Sequence, residues 1–295
     1  MEGKDIQTLL EVLKNSGYEL KSKIGQGATA DVYTVHELNT DRIYACKVGV
    51  QTYFLQAEAT LLRQITHPLF PEWKEYLEFE DLGFLIMEYV GGSDLEEYLK
   101  RRGRLSVREA VRIALELADG IGYLHELRRP VYYRDLKPAN VVIGQGGDVR
   151  LLDLGAAAIN RGWKAGTKGY AAPEILGEGV VQPGSDVYTL GMVMHYMLTG
   201  CNPCLQQEKP AAVRKYRTDI PRGLEDIIKR CICEEPKERI PGMRELLREL
   251  SIYDYRNKSM AKMLTGLKRE VKLIFQGNRD IHPVYEKSIW LSVYK

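Results

Sequence analysis

The spacing of apolar residues changes twice along the chain. Ile6, Leu9, Leu10 and Leu13 recur at helical spacing and Gly17 follows, which predicts an amphipathic helix over 5–16 with a glycine stop. From residue 18 to about 89 the texture turns β-rich: 18–24, 31–37, 42–50, 76–80 and 84–89 read as strands. Asn39-Thr40-Asp41 and Asp81-Leu82-Gly83 supply turns between them. One stretch interrupts the strands, 56–65, with Ala57, Leu61, Leu62 and Ile65 on one helical face before His67-Pro68 stops it. After Gly91-Gly92 the pattern is mostly helical, over 94–100, 106–125, 185–199, 224–231 and 242–249. The expected architecture is α+β and bilobal, a small β-rich lobe with one main helix and a larger, mainly helical lobe. The cleft between such lobes is where ligands bind.

At 295 residues the chain exceeds one ordinary domain, which agrees with two lobes. Hydrophobic residues at 44% and charged residues at 28% are those of a soluble globular protein, and a formal charge of +2 gives no reason to expect nucleic acid as a partner. The charge is uneven. Residues 251–295 hold nine Lys or Arg against four Asp or Glu, so this tail carries +5 and the remainder −3. No run approaches the roughly 20 apolar residues of a membrane span. The start, Met1-Glu2-Gly3-Lys4-Asp5, lacks an apolar signal segment, and five scattered cysteines fit a reducing compartment, so a cytoplasmic location is expected. Cys201, Cys204, Cys231 and Cys233 offer four thiolates for zinc, but one residue between the second pair departs from the usual two to four.

The chemistry concentrates in Tyr132-Tyr133-Arg134-Asp135-Leu136-Lys137-Pro138-Ala139-Asn140, followed by Asp153-Leu154-Gly155. One carboxylate, one ammonium and one amide on a short loop, with a second carboxylate close behind, suit phosphoryl transfer. That reaction needs metal binding, neutralisation of phosphate charge and an aimed hydroxyl rather than covalent catalysis. Alone, the loop could equally be a polar turn closing a hairpin. Gly25-Gln26-Gly27-Ala28-Thr29-Ala30-Asp31-Val32 lies between two predicted strands, where Gly25 and Gly27 permit φ > 0 and close approach of backbone N–H groups to an anion. Lys47 stands in the apolar strand segment Tyr44-Ala45-Cys46-Lys47-Val48, where a charge needs a partner, and Glu58 on the following helix is the natural one.

Together and in this order, the motifs over residues 23–250 resemble the eukaryotic-like (Hanks-type) Ser/Thr protein kinase family. Tyr133 stands where that family carries His, Leu154 where it carries Phe, and Ala30 replaces the third glycine of the Gly-rich loop. The resemblance implies that residues 1–17 are a helical extension, 18–90 the N-lobe, 91–250 the C-lobe and 251–295 a basic, partly helical tail. It implies ATP with Mg²⁺, or Mn²⁺, as cofactors and Ser/Thr hydroxyls of proteins as acceptors. Asp135 would orient the acceptor and take its proton, Lys137 would neutralise the γ-phosphate, and the Lys47–Glu58 pair would hold the α- and β-phosphates. Asn140 and Asp153 would bind the metal. Gly25 and Gly27 would cover the phosphates, and Ile24, Val32, Ala45 and Val142 would sandwich the base. Met87 would lie behind it, Glu88 and Val90 would offer it backbone groups, and Asp94 would accept a ribose hydroxyl. Gly166-Thr167-Lys168-Gly169-Tyr170-Ala171-Ala172-Pro173-Glu174 matches the segment that receives a substrate peptide, with Thr167 and Tyr170 its marked members. Glu174, Asp186 and Arg239 would be structural: Arg239 pairs with Glu174, and Asp186 anchors the catalytic loop. Eleven residues between Lys47 and Glu58 is short for the family and implies a helix trimmed at its N-terminal end.

Residues 156–166 contain no Ser, Thr or Tyr, and they carry Arg161 and Lys164 but no acid. Activity independent of phosphorylation in this loop is therefore expected, with Trp163 and Ile159 ordering it by packing. In the tail, Met260, Met263, Leu264, Leu267, Val271 and Ile274 recur at helical spacing beside Lys262, Lys268, Arg269 and Lys272. This stripe fits either packing on its own domain or contact with an acidic partner or anionic membrane surface. The rival to an active enzyme is a pseudokinase acting as a nucleotide-binding scaffold, and the complete residue set argues against it.

Overall fold

The computed structural model describes residues 3–27, 29–158, 166–177, 179–206 and 210–259. They divide into two units after Leu250, of which the second is described over residues 251–259. In the second unit residues 251–259 are helical, and Lys258 pairs with Asp254 one turn away at 2.6 Å. The apolar stripe from Met260 onward, and Ile159 and Trp163, lie outside the described residues.

The first unit opens with α1 (Gly3–Asn15) and a five-stranded antiparallel sheet. Its strands are β1 (Tyr18–Gln26), β2 (Asp31–Glu37), β3 (Arg42–Gly49), β4 (Trp73–Phe79) and β5 (Leu82–Glu88), in the order β1-β2-β3-β5-β4. Between β3 and β4 comes α2 (Thr52–Leu62). Strand alternation divides the sheet into two faces. Val35, Cys46, Val48, Phe84 and Ile86 form a core with Leu9 and Leu13 of α1, so the helix covers the outer face. Val32 lies opposite Lys47, and Ala45 opposite Met87, on the other face. Leu10, grouped with the apolar residues of α1 by its spacing, is 45% exposed, because the buried face is as narrow as Leu9 and Leu13.

The turn before β5 is one residue earlier than Asp81-Leu82-Gly83 implies. Glu80 takes the left-handed conformation (φ 52°) and Leu82 already pairs with Phe79. The helix expected over 56–65 runs instead from Thr52 to Leu62; its first turn carries no acid and no side-chain cap, the signals by which a start is read. After Leu62, Gln64 N–H and Ile65 N–H bond to carbonyls three residues back, so the chain tightens out of the α-helix before His67.

The larger part begins with β6 (Ser93–Asp94), α3 (Leu95–Arg102) and α4 (Val107–His125). Asp94 caps α3 through Glu97 N–H at 2.8 Å, and Ser106 caps α4 through Glu109 N–H at 3.2 Å. Short strands β7 (Val141–Ile143) and β8 (Val149–Leu151) complete a second sheet, β6-β7-β8. The one-turn helices α5 (Gly155–Ala158) and α6 (Pro173–Leu176) precede α7 (Pro183–Thr199), whose residues Gly184 to Leu198 are all buried. α7 packs between α4 and α9 (Arg222–Cys231), with α8 (Val213–Tyr216) alongside, and residues 243–250 are again helical. The unit is the bilobal α+β fold expected.

Candidate active site

β3 carries the first part of the site. Its alternation turns Cys46 toward α1 and Lys47 toward α2, where Lys47 Nζ bonds Glu58 Oε2 at 2.8 Å and Oε1 at 3.0 Å. The same ammonium reaches Asp153 Oδ1 at 2.9 Å. Burial acts to lower the Lys47 pKa, yet the two carboxylates outweigh it and hold the group charged beyond the ordinary lysine range. Burial likewise acts against ionised Asp153, but Lys47 and the Gly155 N–H at 3.1 Å keep it below the usual carboxylate range. Glu58 is 3% exposed; here burial prevails and lifts its pKa, while Leu154 N–H donates to Oε1 at 3.0 Å.

The second part lies on the loop before β7. Asp186 of α7 is fully buried and accepts from the backbone N–H groups of Tyr133 (2.8 Å) and Arg134 (2.7 Å), with His125 Nε2 at 2.8 Å. This grip holds Arg134 in the left-handed region (φ 67°), which a side chain seldom adopts without such support. Asp153 shares that conformation (φ 63°). Downstream, Lys137 Nζ lies 2.8 Å from Asp135 Oδ2, and Thr167 Oγ1 donates to Asp135 Oδ1 at 2.7 Å and lies 3.3 Å from Lys137. Asn140 Nδ2 donates to the Asp135 carbonyl at 3.0 Å, so its Oδ1 remains as an acceptor. With Asp153, whose side chain is 47% exposed and ionised, this gives two hard oxygen donors of the kind Mg²⁺ or Mn²⁺ takes. The donor set therefore fits a divalent cation.

Glu174 is held below the ordinary carboxylate range: burial opposes this, but Arg239 (2.6 and 2.8 Å) and the Ser185 hydroxyl (2.7 Å) prevail. The Arg239 guanidinium also covers the Tyr188 ring at 4.9 Å. Tyr170 is buried with its hydroxyl 3.4 Å from Asn202 Oδ1. At the chain crossing between the lobes, Glu88 N–H donates to the Glu72 carbonyl at 2.8 Å. The Glu88 carboxylate accepts from Glu72 N–H at 3.0 Å and pairs with Arg150 of β8. Spacing gave no sign of Arg150, since its role depends on β8 lying beneath the crossing. His125, Ser185 and the Leu154 N–H likewise gain their roles only through contacts between separate elements, with Asp186, Glu174 and Glu58.

Single residues add to or depart from these expectations. Neither Gly25 nor Gly27 has positive φ; at Gly27 glycine serves by clearance, a Cβ there standing 3.1 Å from the Ala30 carbonyl, whereas a Cβ on Gly25 would meet only Val32 at an ordinary 3.5 Å. Asp94, expected to face a ribose, spends Oδ1 on capping α3. Ile24 is 47% exposed, whereas Ala45, Met87 and Val142 are buried. The four cysteines do not gather: Cys231 is buried, Cys204 is exposed with its thiol toward the Lys168 carbonyl at 3.1 Å, and no metal-ligand cluster occurs among the described residues.

A family model of the protein kinase domain matches residues 18–251. The chain belongs to the protein kinase family. Among its relatives is the serine/threonine-protein kinase PrkC of Bacillus subtilis (strain 168), 28% identical over 249 residues, or 75% of this chain and 38% of that protein. The serine/threonine-protein kinase PknG of Mycolicibacterium smegmatis is 31% identical over 252 residues, 79% of this chain and 32% of that protein. The human cAMP-dependent protein kinase catalytic subunit PRKX is 28% identical over 249 residues, 77% and 68% of the two chains. The chain thus spans from about a third to about two thirds of these kinases' own lengths. Its departures from the kinase motifs have local accommodations. Tyr133 is fully buried with its hydroxyl on the Leu152 carbonyl at 2.5 Å, and Ala30 is 7% exposed within the Gly-rich hairpin.

Proposed function

We propose that this protein is an ATP-dependent serine/threonine protein kinase whose activity does not require phosphorylation of residues 156–166. The observation that carries the reading is the convergence of Lys47, Glu58 and Asp153 together with the Asp135–Lys137–Thr167 cluster, six side chains drawn from five separate parts of the sequence. Residues 18–90 act as the N-lobe and 91–250 as the C-lobe. ATP lies between Ile24, Val32, Ala45 and Val142, backed by Met87, with Gly25 and Gly27 over its phosphates. Glu88 contributes its carbonyl to the base, its N–H being spent on Glu72, and Val90 its backbone. The free oxygen of Asp94 remains for the ribose.

Asn140 and Asp153 would hold Mg²⁺ or Mn²⁺, which would neutralise phosphate charge. Lys47, fixed between two carboxylates, supplies a positioned positive charge to the α- and β-phosphates. A substrate hydroxyl takes the place at Asp135 Oδ1 that Thr167 marks, and Asp135 accepts its proton as the bond from that oxygen to the γ-phosphorus forms and the bond from phosphorus to the β–γ bridging oxygen breaks, releasing ADP. Lys137, 2.8 Å from Oδ2, offsets charge on the γ-phosphate. Substrate proteins are held against the segment containing Thr167 and Tyr170.

Loop independence is supported by composition: no hydroxyl residue occurs between Gly155 and Thr167. No helix among the described residues is long and apolar enough to cross a membrane, which accords with a cytoplasmic site of action. The basic tail at 251–295 is the part suited to an acidic partner or anionic surface. The test is transfer of labelled γ-phosphate from ATP to a generic protein, comparing the parent before and after phosphatase treatment with Asp135→Asn. Transfer by both parent samples and none by Asp135→Asn is expected. Equal signal from parent and variant would leave a nucleotide-binding scaffold, and loss on phosphatase treatment traced to phosphate on Thr167 or Tyr170 would overturn loop independence.

A further inference from the structure

The Gly-rich hairpin has an alanine at its third glycine position, and that methyl is buried although it lies near a loop tip. The hairpin closes with Gln26 opposite Asp31, and Gly27 N–H bonds the Ala30 carbonyl at 2.8 Å. Lys23 braces it across the strands through Asp31 at 2.9 Å. Beneath it lies Gly49, the last residue of β3. A Cβ built on Gly49 would stand 2.5 Å from the Thr29 carbonyl oxygen, 3.3 Å from Ala30 Cβ and 3.3 Å from Leu55 Cδ1. Gly49 does not have the positive φ that calls for glycine, so clearance is what requires the missing side chain.

We propose that Gly49 is a positioning residue: its bare backbone forms the seat in which the Thr29 carbonyl and the Ala30 methyl rest, and this seat sets the height of the Gly-rich hairpin over the nucleotide phosphates. The inference rests on the nucleotide reading above and adds a residue to it. Other elements around the seat cannot yield. Val48 is 1% exposed between Asp31 of β2 and Phe84 of β5, and Gly49 itself pairs with Gly83. Leu55 is 4% exposed on α2, which Lys47 and Glu58 tie to β3. Thr29, in contrast, is exposed, with the hairpin tip around it. A methyl at 49 therefore lifts the hairpin, by at least about half an ångström to bring the 2.5 Å contact to a tolerable one.

The experiment uses the full chain as parent, Gly49→Ala, Ala30→Val and the double variant Gly49→Ala/Ala30→Gly. ATP affinity is read by calorimetry, and hydrogen exchange of peptides covering residues 24–33 is read without nucleotide. Gly49→Ala is expected to speed hairpin exchange and weaken ATP binding about tenfold, displacement of a positioning group by a fraction of an ångström being costly. KM for ATP should rise more than kcat falls, and Ala30→Gly, which frees the hairpin to shift, should restore much of the affinity. A folded Gly49→Ala with parental exchange and affinity overturns the inference. Should Gly49→Ala fail to fold, Ala30→Val loads the same seat from the loop side, and parental exchange in that variant overturns it equally. A parent without ATP affinity would sink the nucleotide reading itself and this inference with it. Normal parental affinity with an indifferent seat sinks the inference alone.

Discussion

Lys47 and Asp153 are 106 residues apart in the chain and 2.9 Å apart in space, and the same ammonium bonds Glu58. One cation thus joins β3, α2 and the segment after β8. Lys47→Met leaves Glu58 buried beside an apolar chain, retaining only the Leu154 N–H. It should lower kcat/KM by at least about a hundredfold, as loss of a preorganised charge does. Urea titration should show a stability loss of about 3 kcal/mol, since a buried pair is broken from one side. Undiminished phosphoryl transfer would remove Lys47 from the site.

Thr167 shares its hydroxyl between Asp135 and Lys137. Thr167→Ser keeps that hydroxyl and should retain most of the parental rate, whereas Thr167→Val should lower kcat by about tenfold or more through misplacement of both groups. A phosphate at this hydroxyl would set two negative charges against Asp135, so phosphorylation of Thr167 should inactivate. Steady-state kinetics of the two variants and of stoichiometrically modified protein decide the matter.

The Glu174–Arg239 pair sets an acid limit. Glu174 titrates below its ordinary value of 4.5 in the folded chain, so the unfolded chain binds more protons in the window beneath that value. Stability from this pair is fully present above that window and is lost as pH falls through the depressed value. Urea midpoints between about pH 3 and 6 should rise with pH in the parent. Glu174→Gln should be less stable at neutral pH and show a shallower acid slope; an unchanged slope would contradict the linkage.

Helix α1 should act through packing alone. Leu13 is fully buried, and Leu13→Ala should cost about 2–5 kcal/mol. Leu10→Ala, on the exposed side, should stay within about 0.5 kcal/mol. Thermal denaturation separates the two, and equal costs would mean that α1 does not sit as described.

Tyr133→Phe deletes only the hydroxyl that bonds the Leu152 carbonyl. A loss of about 1 kcal/mol is expected, with the ring still filling its buried site. A Phe variant as stable as the parent would show that the hydroxyl bond contributes nothing.

Much of this protein is written in local order. The alternation of β2 and β3, the caps at Asp94 and Ser106, the lone lysine among apolar residues and the spacing of Asp135, Lys137 and Asn140 are short-range features, because strand period, cap geometry and loop reach act over a few residues. The α+β division and the partners Lys47 and Glu58 follow from them. What tertiary structure decided is which faces are covered and which atoms are already spoken for. Leu10 is left outside because one partner sheet meets only part of α1, and Arg150 gains a role only when β8 passes beneath Glu88. Gly49 shows the difference most plainly. In the sequence it is an unremarkable end to a strand, and its need for an empty side chain arises only when a hairpin some twenty residues earlier folds down upon it. Contacts of that kind depend on distances between elements, which no spacing along a chain contains.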